Sequence, residues 1–373
     1  MSTLKVEVCD IKDIKEHQNA DALDIAIIKG WECIIKKGQY KIGDSVVYFP
    51  IDSVLPDELS ERLGVKNYLK GKDKNRVGCA KLRGEMSYGL VINNEKNWEV
   101  GTDVTEYYGV TKYIPPVRAT AGDAAPEDPF FDKFTEIENI KNFVDVFKEG
   151  EMVGVTEKID GTCCRLSVSV LKDDEGNIVI ENKAGSSGYK RKFPGKENIA
   201  SNTYWYPWST EPVKNLMLEM AKKLRKEVEE GKSYASFHLY GEVYGAVRGG
   251  HKSMHYGRPT SLNFIAFAAK RDNKYINFLE FFNLCHLYNI DRVPVVGIIN
   301  FSWDGIKELS QGDSILAETN KTKHIREGVV VVPMEERTDP ILGRVILKVI
   351  NPDYLIMKNK KEDKGEEVDF KDE

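Results

Sequence analysis

Lys158 stands two positions before Asp160-Gly161 in the stretch VTEKIDGTCCRL, a combination of residue types that could do covalent chemistry. A lysine of ordinary pKa, about 10.4, is a poor nucleophile at neutral pH. Neighbouring cations can depress that value and turn the amine into an attacking group. The plain alternative is a solvated lysine on a surface hairpin. Val153 and Val155 alternate with Thr156 and Lys158, while Cys164, Leu166, Val168 and Val170 alternate with Arg165, Ser167 and Ser169. The Asp-Gly between these runs is a strong two-residue turn signal.

Further candidate groups follow in order, each ending or crossing a predicted strand: Lys183 in NKAGSSGYKRK, Glu242 in YGEVYG, Phe264 in LNFIAF, Glu327 in REGVVV and Lys348 in VILKVI. Strands are expected in HLYGEVYG, LNFIAFAA, GVVVVP and RVILKVI. A helix is predicted after Thr210, with Val213, Leu216, Met217, Met220, Leu224 and Val228 on one face and Gly231 as the stop. A second is predicted in NFLEFFNLCHLYNI. Each candidate has a structural reading as well. Glu242 could be a satisfied strand carboxylate, Phe264 a core residue, Glu327 a partner of Arg326, and the run Lys183, Lys190, Arg191, Lys192 and Lys196 a solvated loop.

The N-terminal part differs in character. LKVEVCDI, LDIAIIKG, WECIIKKGQ, DSVVYFPI, VGCAKLRG and YGLVI are short strands broken by turn residues, the spacing of a small closed barrel. Lys81 and Arg83, alternating with Leu82, are expected on one face of that barrel as nucleic-acid contacts or as solvated charges. IPPVRATAGDAAPEDP loses periodicity and is expected to be a linker. The expected organisation is therefore 1–113 barrel, 114–129 linker, 130–357 mixed α/β domain and 358–373 a charged, frayed tail.

With 373 residues, 41% hydrophobic and 30% charged, the chain is expected to be a soluble two-domain protein. No window approaches the roughly 18 apolar residues of a membrane helix, and MSTLKVEVCD lacks a signal-peptide core. Six cysteines without a C-x-x-C pair indicate neither a zinc ribbon nor a redox motif, and reduced thiols in an intracellular compartment are the simplest account. A net charge of −5 excludes indiscriminate coating of nucleic acid but not a local basic groove.

The ordered set from KFTEIENIKN and VTEKIDGT through REGVVVVP to Lys348 resembles the covalent nucleotidyltransferase superfamily of ATP-dependent ligases and RNA capping enzymes. Within it, the chain is similar to nick-sealing RNA ligases of the Deinococcus and Naegleria type, which carry an N-terminal OB domain. EHQNADALDIAII, KKGQYKIGDSVVYFPIDSVLP and AKLRGEMSYGLVI carry the OB likeness. The resemblance implies an α+β fold, an OB-fold barrel followed by a mixed antiparallel nucleotidyltransferase domain. It also implies that Lys158 attacks the α-phosphate of ATP, releasing pyrophosphate and keeping AMP. By the same resemblance Glu157, Asp160, Gly161, Arg165, Lys183, Glu242, Phe264 and Lys348 bind the nucleotide, with Phe264 stacked on adenine and Lys348 on the α-phosphate. Glu327 and Asp160 would hold Mg²⁺ or Mn²⁺, and Lys190 and Arg191 would join Lys81 and Arg83 on the nucleic acid.

The implied substrate is a nicked RNA or RNA/DNA duplex, handled by a monomer away from membranes. A capping-type nucleotidyltransferase and a non-catalytic nucleic-acid-binding relative are the alternatives. Relatives with K-x-K at the last motif have a second lysine where this chain has Ile350, and Ala268 or Ala269 stands where many have an acid. Ordinary DNA ligases and capping enzymes place their OB domain after the core. The residues following Lys348 are too few for one, which sets the expected domain order.

Overall fold

The computed structural model describes residues 4–71, 73–114, 123–247 and 255–363. Among the described residues two compact units emerge, one built on the N-terminal residues together with 139–145 and 352–363, the other on 123–138, 146–247 and 255–351. Strands of four or more residues are numbered in chain order.

The first unit contains β1 (Glu7–Glu16), β2 (Leu23–Ile28), β3 (Trp31–Lys36), β4 (Ser45–Phe49), β5 (Cys79–Leu82), β6 (Glu85–Tyr88) and β7 (Leu90–Asn93). Its main antiparallel sheet runs β3–β2–β1–β4–β7. Alternation along β1 and β4 feeds two cores: Val8, Val47 and Phe49 enter one with Leu55, just before the helix α1 (Asp57–Arg62), and Leu59 within it, and Cys9, Val46 and Tyr48 enter the other with Ala26, Ile28 and Trp31. A bulge between Ile11 and Asp13 marks where β1 passes from one ladder to the next. The predicted strands are all present, but Arg83 is not on one. Leu82 pairs with Glu85, and Arg83-Gly84 is the turn between β5 and β6, with Arg83 at φ +50°.

The second unit is built on two large sheets. The first runs β15 (Leu347–Ile350), β14 (Gly328–Pro333), β8 (Met152–Glu157), β13 (Val295–Asn300); the second runs β10 (Ile178–Gly185), β9 (Thr162–Lys172), β11 (Tyr234–Gly245), β12 (Leu262–Arg271). The helix α2 (Glu211–Glu229) lays the six predicted apolar residues on one face of the second sheet, beside α3 (Phe278–Tyr288). Asn289, left-handed at φ +54°, ends α3.

The hairpin expected around Asp160-Gly161 does not exist. β8 pairs with β13 and β14, whereas β9 pairs with β10 and β11, so Lys158–Gly161 is the crossing from one sheet to the other. The physical reason lies in its anchors. Glu157 N–H donates to Pro294 O at 2.9 Å and Lys158 N–H to Gly328 O at 3.0 Å, which commits the chain to the first sheet up to the lysine. At Gly161 it then closes on the second sheet, where a Cβ would stand 2.5 Å from Glu242 Cγ and 2.7 Å from Val243 O.

The segment expected as a linker is partly ordered. Residues 115–122 lie outside the described residues, but 123–125 pair with 190–192 through Ala125 N–H to Lys190 O and Lys192 N–H to Asp123 O. The expected tail starts inside a helix over Pro352–Asp363, and residues 364–373 lie outside the described residues.

Candidate active site

Lys158 ends up at the seam between the sheets with its Nζ 2.8 Å from Glu327 Oε1. Glu327 is buried and fixed from behind: Asn351 N–H donates to its carbonyl at 2.9 Å, and Asn351 Nδ2 donates to Arg326 O at 3.0 Å. The next residue, Gly328, has φ +153° and its hypothetical Cβ lies 2.1 Å from Val349 O. Only glycine permits so close an approach of β14 to the strand carrying Lys348. Val330 and Lys348 are register partners in that ladder.

Charge around the lysine is mixed. Burial is the largest single influence on Lys158 and pulls its pKa down, but Glu327, Glu242 and Asp160 outweigh it and hold the ammonium above the ordinary lysine value. Lys348 goes the other way, lowered by burial and then by the positive charge of Lys158. A lysine flanked by a second, depressed lysine and three carboxylates is an arrangement for meeting a polyphosphate.

Among the described residues no three His, Cys, Asp or Glu side chains form a ready-made metal cage. Glu327 and Asp160, both close enough to act on Lys158, fit an ion that takes one or two carboxylates and completes its shell with water and substrate phosphate.

A family model described as RNA ligase matches residues 151–350, and an OB-fold domain model matches residues 5–94. The chain belongs to the RNA ligase family. Its first unit is an OB fold, and the whole is α+β. The fold is shared with the RNA ligase of Naegleria gruberi. A lysine-to-methionine mutant of that enzyme with AMP and Mn superposes with a TM-score of 0.68 at 24% identity, over 94% of this chain and 98% of that one. An arginine-to-alanine mutant with ATP and Mn gives 0.69 at 23%, over 95% and 99%. The same ligase with PPi gives 0.69 at 24%, over 96% and 100%. No curated protein matches the chain in sequence.

Within this RNA ligase family member, Lys158, Asp160, Gly161, Glu242, Glu327 and Lys348 converge, and other expected site residues do different work. Glu157 is buried, and its carboxylate accepts the Leu316 N–H at 3.1 Å at the start of α4 (Ile315–Thr319). Arg165 is also buried. It donates to the carbonyls of Phe131, Asp132 and Ser186 and lies over the Phe131 ring, so it orders neighbouring backbone. Arg326 likewise donates to the carbonyls of Leu309, Gln311 and Asp313, which leaves Glu327 for the lysine.

The basic run is largely engaged by the segment before it. Lys183 pairs with Asp128 at 2.8 Å and Glu181 at 3.0 Å, Lys190 with Asp128 at 2.7 Å, and Arg191 with Asp123 at 2.8 Å. Those two lysines hold Asp128 at about 2, against the upward pull of its own burial. In the first unit Lys81 and Arg83 are exposed, with Lys81 3.9 Å from Asp353.

Phe264 faces away from the lysine. It pairs with Val243 in the apolar layer under α2, and its ring fills the space left by Gly241. Glu242 and its register partner Ile265 point to the opposite face, where Phe267 lies half-buried 5.0 Å from the ring of Phe134. A bulge between Tyr240 and Gly241 adjoins this point. Phe267 could have been found from the sequence by alternation from Ile265; Asn351 carries no comparable signal.

Proposed function

We propose that the chain is an ATP-dependent RNA ligase that seals 3′-OH/5′-phosphate nicks in duplexes whose 3′-OH strand is RNA, through a covalent adenylate on Lys158. The observation that carries this reading is Lys158 paired with Glu327 beside Lys348, Glu242 and Asp160. The Naegleria gruberi ligase structures with ATP, AMP, Mn and PPi support ATP as the nucleotide and a divalent metal as cofactor.

In the first step neutral Lys158 attacks the α-phosphorus of ATP and pyrophosphate leaves. The AMP then passes to the 5′-phosphate of the nick, which restores the amine. Attack by the 3′-hydroxyl finally forms the phosphodiester and expels AMP. Glu327, with Asp160 in the outer shell, would hold a Mg²⁺ or Mn²⁺ ion, which supplies positive charge against the triphosphate and against the lysine proton. Lys348 would lie on the α-phosphate, and Glu242 on the ribose hydroxyls. The base-stacking ring on the face of Glu242 is Phe267 in place of Phe264.

A duplex holds both ends together, so the enzyme need not supply their proximity. Lys81 and Arg83 are the nucleic-acid contacts on the OB unit, and the enzyme acts as an intracellular monomer. Among the described residues no helix is long and apolar enough to cross a membrane.

The test is sealing of matched nicks with ATP and Mg²⁺ or Mn²⁺. A 3′-terminal ribonucleotide should seal much faster than a 3′-deoxyribonucleotide, and the double change Lys81→Ala, Arg83→Ala should flatten the salt dependence. Equal rates on the two nicks, or a preference for GTP over ATP, would overturn the assignment.

A further inference from the structure

We propose that Tyr256 is a positioning residue for the nucleophile, its phenol oxygen fixing the Lys158–Gly161 crossing by accepting the Asp160 N–H at 2.8 Å. The proposal rests on the reading of Lys158 as the nucleophile. Three independent features single out Tyr256. It is 2% exposed, it is left-handed at φ +40°, and its hydroxyl reaches the backbone of the catalytic turn from a distant part of the chain. A bulky residue in the left-handed region is a costly outlier, and such strain persists only where the surroundings hold it.

Those surroundings tie the segments of the site together. The Tyr256 ring packs edge-on against Tyr244 at 5.7 Å, two residues beyond Glu242 on β11, and against His324 at 4.9 Å, three residues before Glu327. Gly257, at φ +78°, lies so close to the following loop that a Cβ would stand 3.1 Å from Asn320 O. Arg258 then clasps Asn320 Oδ1 through two N–H groups at 3.2 and 3.1 Å. One side chain thus touches the lysine turn, the strand of Glu242 and the approach to Glu327.

A phenylalanine would fill the same apolar cluster of Ile159, Tyr244, Ile265, Val293 and Leu316. What it would lack is the acceptor for the Asp160 amide. Losing one buried acceptor weakens the geometry of the turn by an amount felt in rate more than in fold.

The experiment uses full-length Tyr256→Phe. Lysine adenylylation from labelled ATP is followed in a single turnover, and so is sealing of a nick that already carries AMP on its 5′-phosphate, a step that needs no attack by lysine. Adenylylation at saturating ATP should fall by about tenfold with KM for ATP held within about twofold, while sealing of the adenylylated nick falls much less. An unchanged adenylylation rate would overturn the proposal, as would an equal loss in both steps. In the unsubstituted chain the Asp160 amide should exchange with solvent slowly; exchange at the rate of an exposed peptide would also overturn it. Label retained by Lys158→Ala would remove the nucleophile itself, a failure distinguishable from that of Tyr256.

Discussion

Lys158 Nζ and Glu327 Oε1 form a 2.8 Å ion pair at the ends of two neighbouring strands, β8 and β14, of the first sheet of the catalytic unit. Burial pulls the Lys158 pKa down, yet Glu327, Glu242 and Asp160 leave it above the ordinary value, so the resting side chain is an ammonium ion. Its reaction therefore depends on relieving that pair. The fraction of neutral amine at pH 7 is below about one in a thousand for any lysine at or above its usual pKa.

The pair and Lys348 should act in opposite directions on the pH profile. Glu327→Gln removes a charge that favours the ammonium, so the rise of adenylylation rate with pH should move to lower pH. Lys348→Met removes a charge that disfavours it, so the rise should move to higher pH. Both changes should cut the plateau by about a hundredfold or more, because each removes a group set against developing charge. Single-turnover labelling between about pH 6 and 10 reads both effects. Shifts in the same direction would contradict the electrostatic account.

The two phenylalanines of LNFIAF should separate stability from nucleotide binding. Phe264→Ala opens a cavity in the layer under α2 and should cost about 3–5 kcal/mol, read by denaturant unfolding, with little change in KM for ATP. Phe267→Ala should raise KM for ATP by about tenfold at a smaller cost in stability, since its ring is half-buried on the face of Glu242. The reverse pattern would restore Phe264 to the site.

Most of the second unit was legible because its strands and α2 carry strong periodicity; the motif residues Glu242 and Lys348 fall on those strands, and Lys158 and Glu327 stand at the ends of two of them. The error at Phe264 was one of face. Alternation was visible, but which set faces the lysine depends on which register partners meet across β11 and β12, a long-range matter. The hairpin failed for a related reason. Asp160-Gly161 has turn composition, but the anchors that turn it into a crossing, Pro294 and Gly328, are far away in sequence. Lys183, Lys190 and Arg191 read as a basic patch because their partners Asp123 and Asp128 lie in a stretch whose composition looks like linker.

Buried His238 should make the fold acid-sensitive. Its imidazole lies between the rings of Phe131 and Tyr240, and burial drives its pKa to about 4. The unfolded chain, with a histidine near about 6.5, binds the extra proton between those values, so stability is full above pH 6.5 and falls as pH drops toward 4. The loss should reach about 3 kcal/mol by pH 4. Urea unfolding of His238→Gln should show a flatter dependence in that window. An unchanged slope would mean that other groups set it.

The claim on which the rest depends is that the Lys158 side chain itself carries AMP. Incubation of the full chain with ATP labelled at the α-phosphorus and Mg²⁺ or Mn²⁺, followed by proteolysis and mass analysis, should place the label on the peptide containing VTEKIDGT and on no other. Lys158→Ala should take up none. Label that persists in that variant, or that resides on another peptide of the unsubstituted chain, would contradict the account.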